Sequence, residues 1–378
     1  YAGPDFLDRM IAEHPGNVVI LSGRNQGKIV AIQRALTSGI NVMGDKPWVI
    51  EPEDLAKLEL ALKTSRIKKV AAYDAMTQRY EISCILQREL VNDEAVFGKP
   101  VQGTKEKPAV TMESVHYLLK LVAGVPNLRP AWFFDVRQQG EGLTDVGTHL
   151  VDLVQWIMFP DQTIRHRTGV NVLAGAHWPT VITPDQFRRV TGEAAFPAYL
   201  QGAIRNGNLD YFCNNSVDYT LKGVHVRLVI KWDFEAPPGM GDTELAIFEG
   251  SRSRVEVRQG AEEKYRPEVY VVPKDPASIN AVRQALESKL QRLAGTYPGL
   301  GVKDLGGRLQ VTIPDRYRIG HEAHFALLCK QFLQYVRTPS AMPAWEEPGM
   351  ITKYYVTTRG VELARQGTQT TAKAAAAH

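Results

Sequence analysis

Three side chains in this sequence stand where they could move a proton and steady a negative oxygen: Lys46, Asp145 and His149. Asp145 and His149 are four residues apart, so on a helix they share one face. A carboxylate one turn before an imidazole can orient the ring and keep it basic, as a proton acceptor requires. Asp152 and Trp156 continue that face, while Leu150, Leu153, Val154 and Ile157 form another that suits burial. The glycines ahead of them, Gly140 and Gly142, would let backbone approach a ligand closely. The same spacing also suits a helix cap followed by a core histidine. Lys46 lies in Met43-Gly44-Asp45-Lys46-Pro47, directly after a short apolar run. Open α/β sheets bind ligands outside the carboxyl ends of their strands. A lysine placed there could hydrogen-bond a substrate oxygen and favour charge on it. A surface lysine in a polar turn is the plainer alternative.

Elements that could hold these residues follow from the pattern. Apolar runs at 17–21, 40–43 and 69–73 read as buried strands. Helices are expected at 6–13, 28–37 and 52–63. In the second of these Ile29, Ile32 and Leu36 recur on one face, and Gly39 sits where a C-terminal cap belongs. Strands separated by helices of this length form a parallel sheet. Beyond Asp74 the texture changes. Helices are expected at 79–90 and 144–158. The stretch 97–130 reads as loop-rich, with a helix near 114–122. Strand-like alternation at 219–232, 243–249, 254–258, 269–272 and 309–313 suggests one large, open, mostly antiparallel sheet, with helices at 277–295 and 321–337. The fold class is therefore α/β plus α+β. The organisation expected is 1–76, 77–365 and a disordered low-complexity tail at 366–378.

Composition narrows the function classes. The 378 residues are 44% hydrophobic and 23% charged, and 45 Lys+Arg against 41 Asp+Glu leave +4. So small and dispersed an excess argues against a nucleic-acid surface. No apolar run approaches the roughly 20 residues of a membrane span. Cys84, Cys213 and Cys329 are far apart and odd in number, which suits reduced thiols and neither a disulfide framework nor a zinc site. The pair His321 and His324 lacks the spacing of a zinc helix, so no metal is expected. Glycine pairs at 140/142, 239/241 and 299/301 join no strand to a helix and are no dinucleotide fingerprint. Gly23 to Lys28 is one residue short of a P-loop.

Together the two constellations resemble the Gfo/Idh/MocA oxidoreductases over about residues 17–159, and the later Tyr354-Tyr355-Val-Thr-Thr resembles the branch with a "putative oxidoreductase C-terminal domain". Ser22-Gly23-Arg24-Asn25 stands where that family ends a strand in small residues and Asn. Asp45-Lys46-Pro47 stands for its Glu-Lys-Pro. Gly140 to Asp152 stands for its Gly-Gly-Gly…Asp-x-Gly-x-His…Asp, with Glu141 replacing the middle glycine. Lys28 takes the place of a histidine common in the family. The resemblance implies part of a Rossmann-type NAD or NADP domain, with Ser22, Gly23, Asn25, Asp45 and Lys46 at the cofactor. It implies a substrate domain that closes on a sugar- or polyol-like secondary alcohol. It implies Lys46, Asp145 and His149 as catalytic and substrate-binding residues. An NAD-dependent glycosidase and a non-catalytic sugar-binding relative are the alternatives. The glycine-rich turn of that family is missing ahead of residue 17, so we expect a chain lacking its N-terminal strands, with a degenerate protein as the other reading. The location is cytoplasmic by default, since any export signal would lie in the missing part. The alternating Val224, Val226, Leu228 and Ile230 fill either a dimer interface or the core under helices. We expect a homo-oligomer through the open sheet face.

Overall fold

The structure, a computed structural model, describes residues 3–122 and 125–376; for 122 and 368–376 only the backbone is described. After helix α1 (Phe6–Glu13) the chain alternates β1 (Val18–Leu21), α2 (Lys28–Thr37), β2 (Asn41–Gly44), α3 (Leu55–Lys68) and β3 (Ala72–Asp74). The three strands pair in parallel in the order β1-β2-β3. Apolar residues on both faces of β2 have partners on both sides. Val42 packs with Ile29, Ile32 and Leu36 of α2 and with Leu58 and Leu62 of α3. Met43, with Tyr73 of β3, packs against Leu328, Phe332 and Tyr335, which return from a helix near the other end of the chain. Burying side chains of this size contributes about 1.5–3 kcal/mol each, enough to fasten that helix to the small sheet. β1 is an edge, and its Ile20 is 61% exposed.

The remainder builds a second layer. In chain order it comprises α4 (Ile82–Val91), β4 (Val110–Leu119), α5 (Gly147–Met158), β5 (Val170–Ile182), α6 (Pro184–Thr191), β6 (Asn208–Leu221), β7 (Val224–Glu235), β8 (Thr243–Glu249), β9 (Ser253–Gln259), β10 (Glu268–Pro273), α7 (Ile279–Leu293), β11 (Gly301–Asp304), β12 (Leu309–Thr312), α8 (His321–Arg337) and α9 (Glu346–Ala376). The strands form one ten-stranded sheet in the order β11-β12-β10-β9-β8-β4-β7-β6-β5, with the two-residue strand Ile204–Arg205 beside β6. Only β4 and β7 pair in parallel. Val224, Val226, Leu228 and Ile230 are buried with Leu143, Leu150 and Val154, so they belong to the core under the helices. Cys84 and Cys213 are buried free thiols and Cys329 is half-buried. Among the described residues no helix is long and apolar enough to cross a membrane.

Three expectations are corrected. The helix near 114–122 is strand β4. Val115, Leu118, Leu119 and Val122 mimic a helical face, but β4 lies between β7 and β8 and its ladder overrides local preference. The single segment 219–232 is a hairpin, because Lys222 and Gly223 both take positive φ (49° and 84°), as a tight two-residue turn requires. The stretch expected to be a disordered tail is helical in its backbone through Ala376, and its side chains from 368 lie outside the described residues. α9 packs hard on the sheet edge: a Cβ on Gly175 of β5 would lie 2.0 Å from the Gly360 carbonyl oxygen.

Candidate active site

The carboxyl ends of β1 and β2 present two loops to the start of α5. Lys46 follows β2 in a turn that carries a cis Lys46–Pro47 peptide. Trp48, fully buried, anchors that turn by donating from Nε1 to the Gly44 carbonyl at 3.1 Å. On the other side, Asp145 sits just ahead of α5, and Thr148 Oγ1 donates to its carbonyl at 2.6 Å. The segment before it is tied to the large sheet. Asn215 accepts from the Leu143 amide at 2.9 Å and donates to Glu141 Oε2 at 2.9 Å. Glu141 also holds His177 Nδ1 at 3.0 Å and accepts from Arg365 of α9 at 2.9 Å. Burial alone would raise the Glu141 carboxyl; the hydrogen bond from His177 and the charge of Arg365 hold it below its ordinary range. Gly142 approaches protein, not a ligand: a Cβ there would lie 2.1 Å from the Cys213 carbonyl oxygen.

The three expected catalytic side chains come together. Lys46 Nζ donates to Asp145 Oδ1 at 2.5 Å, and Gln139 Nε2 donates to Asp145 Oδ2 at 3.1 Å. Burial pushes the Asp145 carboxyl up, but Lys46 and the Gln139 hydrogen bond more than offset it, so the group stays ionised below its usual range. Asp145 does not orient His149. It precedes the first helical residue, Gly147, so the one-turn relation does not hold and its carboxylate turns to Lys46. His149 Nδ1 is enclosed and has no hydrogen-bond partner. Burial, then the charge of Lys46, push its imidazole well below the ordinary value, so the ring is neutral.

The remaining expected residues divide. Ser22 and Gly23 are exposed at the end of β1, and Asp45 is half-buried. Asn25 is buried and engaged with protein: its Nδ2 donates to the Gln139 carbonyl at 2.7 Å, and its Oδ1 accepts from Lys28 Nζ at 2.7 Å. Lys28 also donates to the Asp45 carbonyl at 2.9 Å, so one ammonium stitches the β1 and β2 loops together. Burial brings Lys28 down to about 8.

Behind α5 lies a network that sequence reasoning missed. Arg79 grips Asp152 with two bonds of 2.6 and 2.7 Å and donates to Glu346 at 2.6 Å. Lys353 of α9, with no exposed surface, bridges Asp74 (2.7 Å) and Asp152 (3.2 Å). Tyr354 Oη donates to Asp74 Oδ2 at 3.0 Å. Asp152 is held at about 2: burial opposes this, and Arg79 and Lys353 more than offset it. The signal available was a lysine amid the apolar run of Ile351-Thr-Lys-Tyr-Tyr-Val.

Comparison with known proteins fits this architecture. Residues 86–365 match the family described as "Putative oxidoreductase C terminal domain". A crystal structure of a "putative oxidoreductase" from Parabacteroides merdae is 40% identical, with a TM-score of 0.94, over 97% of this chain and 84% of that one. The chain belongs to this family. It is an oxidoreductase. The fold extends to far more distant members. KijD10, a 3-ketoreductase from Actinomadura kijaniata solved with NADP, is 11% identical with a TM-score of 0.56, over 93% of this chain and 79% of that one. Levoglucosan dehydrogenase, solved with NADH and levoglucosan, is 12% identical with a TM-score of 0.57, over 95% and 80%. No curated protein sequence matches the chain.

Proposed function

We propose that this oxidoreductase transfers a hydride between NAD or NADP and a sugar- or polyol-like secondary alcohol. The carrying observation is the Lys46–Asp145 pair at 2.5 Å beside a neutral His149 whose Nδ1 is enclosed. The donor set suits the nicotinamide end of such a cofactor. Two strand-end loops are pre-set by Lys28 and Asn25, and they open beside the pair. Ser22, Gly23 and Asp45 would line it. Between the three parallel strands no β–α connection carries a GxGxxG, so no pyrophosphate contact is assigned to the described residues.

A bound nicotinamide supplies the ring that accepts or donates hydride. In the oxidising direction the alcohol loses its C–H hydrogen with the electron pair and its O–H proton, leaving a carbonyl. His149 Nε2 takes that proton, since Nδ1 is enclosed. The Lys46 ammonium, fixed by Asp145, donates a hydrogen bond to the same oxygen and stabilises negative charge as it develops. In reduction His149 returns the proton. Asp145 and Gln139 keep Lys46 aimed. The distant neighbours solved with NADP and with NADH and levoglucosan support this reading of cofactor and substrate class. A homo-oligomer through the uncovered face of the ten-stranded sheet is part of the same proposal; a monomer by light scattering at micromolar concentration would contradict it. The reaction is tested by mixing the full-length protein with NAD or NADP and a panel of sugars and polyols. Reduced nicotinamide is expected with wild type, and retained turnover in Lys46→Ala and His149→Ala would sink the residue assignment.

A further inference from the structure

Lysines and arginines that this fold draws in from the surface are paired with carboxylates: Lys353 with Asp74, Arg79 with Asp152, Lys46 with Asp145, Arg318 with Glu268, Arg365 with Glu141. Among the described residues that are not surface-exposed, two cations break the rule, Lys28 and Arg129: Lys28 bonds the Asp45 carbonyl beside Lys46, and Arg129 lies over Phe133, in the segment that leads to Gln139, the hydrogen-bond partner of Asp145. Lys28 is accounted for by its two bonds to Asn25 and the Asp45 carbonyl. Arg129 is not. Its Nε donates to the Leu118 carbonyl at 2.7 Å and its Nη2 reaches the Tyr117 carbonyl at 3.3 Å. The guanidinium lies 4.5 Å from the ring centre of Phe133 and 5.1 Å from that of Trp232, so its plane is fixed. Nη1 has no partner among the described residues. The carboxylates that act on it through space are already engaged, Asp145 by Lys46 and Asp242 by His116 and Lys120. The guanidinium is half-buried and held rigidly, and Nη1 is left open, so the charge is available to a ligand that brings an anionic group.

We propose that Arg129 recognises a carboxylate on the substrate, so that the site takes an acidic sugar of the uronic or aldonic acid class. This rests on the reading of Lys46, Asp145 and His149 as the reacting centre. A guanidinium edge matches the two oxygens of a flat carboxylate, and one uncompensated positive charge matches one negative group. Arg24, exposed on the β1 loop with its guanidinium 5.7 Å from the ring centre of Trp132, adds positive charge at the rim.

The test uses the full-length protein with a panel of uronates and aldonates, each beside its neutral methyl ester. Binding is measured by calorimetry, and turnover by reduced nicotinamide. At least one acid is expected to bind roughly ten- to hundredfold more tightly than its ester, the scale of charged hydrogen bonds. Arg129→Gln should bring that ratio toward one, and Arg129→Lys should keep part of it. The proposal is overturned if no acid binds better than its ester, a comparison on wild type that needs no variant, or if the ratio survives Arg129→Gln. Hydride transfer to neutral sugars without acid preference would remove this inference and leave the proposed function standing. Acid preference without any hydride transfer would do the reverse.

Discussion

The two sides of α5 handle buried charge in opposite ways. Behind the helix, Asp74, Asp152 and Glu346 face Arg79 and Lys353, and each makes a charged hydrogen bond. In front, Lys46 and Asp145 pair, but His149 Nδ1 has no partner and Arg129 has no carboxylate. Matched charge holds a structure together; polar groups left without protein partners are open to a ligand. The contrast teaches that the rear network fastens α9 and the β3 end to α5, while the front leaves groups open, as the proposed chemistry requires.

Four changes would break or sharpen this contrast. The largest effect is expected in front. Lys46→Met should lower turnover about 10²–10³-fold, the range for losing one preorganised donor to a developing oxyanion, together with a loss in urea stability, since buried Asp145 keeps only the Gln139 hydrogen bond. Equal turnover in the variant would refute the role. Lys353→Met comes next. It leaves buried Asp74 with only the Tyr354 hydroxyl and Asp152 with Arg79, and should cost about 3–5 kcal/mol in a urea titration; an unchanged midpoint would show that the rear network carries no stability. Glu141→Gln removes the charge that Arg365 and His177 meet and should cost about 1.5–3 kcal/mol, loosening α9 more than α2 in hydrogen exchange.

The smallest effect is in pH dependence, and the two sides titrate in different windows. Asp152 is depressed to about 2 from 3.8, so its contribution is full above 3.8 and is lost as pH falls toward 2. His149 is depressed from 6.5 and stays neutral in the fold, whereas the unfolded chain takes up a proton below 6.5. Stability should therefore already decline as pH drops below 6.5, with a slope approaching about 1.4 kcal/mol per pH unit from this group. His149→Asn should make that segment shallower, leaving the part due to His166 and His324, which burial also lowers, and leave the acid limb near pH 3 in place. A segment unaffected by the variant would mean that the imidazole is not held neutral.

Local signals made the first strands and helices legible. The helix at Lys28–Thr37 follows from the spacing of Ile29, Ile32 and Leu36, and short apolar runs mark β1 and β2, of which only β2 is buried throughout. β4 was hidden because a strand in the middle of a large sheet answers to its neighbours, and its register with β7 and β8 is set by residues 116 to 138 positions away. The site shows the same divide. Lys46 and Asp145 are 99 residues apart and could be joined only by family resemblance. Lys353 and Asp152 are separated by 201, with no pattern to link them. The expected partnership of Asp145 with His149 failed because a spacing of four binds two side chains only where both residues are helical. Arg129 is distinguished by the carboxylate it lacks, which only the packed fold reveals.

The central claim is that His149 handles the proton of a hydride transfer. It is tested most directly by single-turnover formation of reduced nicotinamide from an alcohol deuterated at the reacting carbon, in wild type and in His149→Asn. The account predicts a primary isotope effect in wild type and a rate about 10²–10⁴-fold lower in the variant, with folding unchanged near neutral pH. A variant that transfers hydride at the wild-type rate would contradict it.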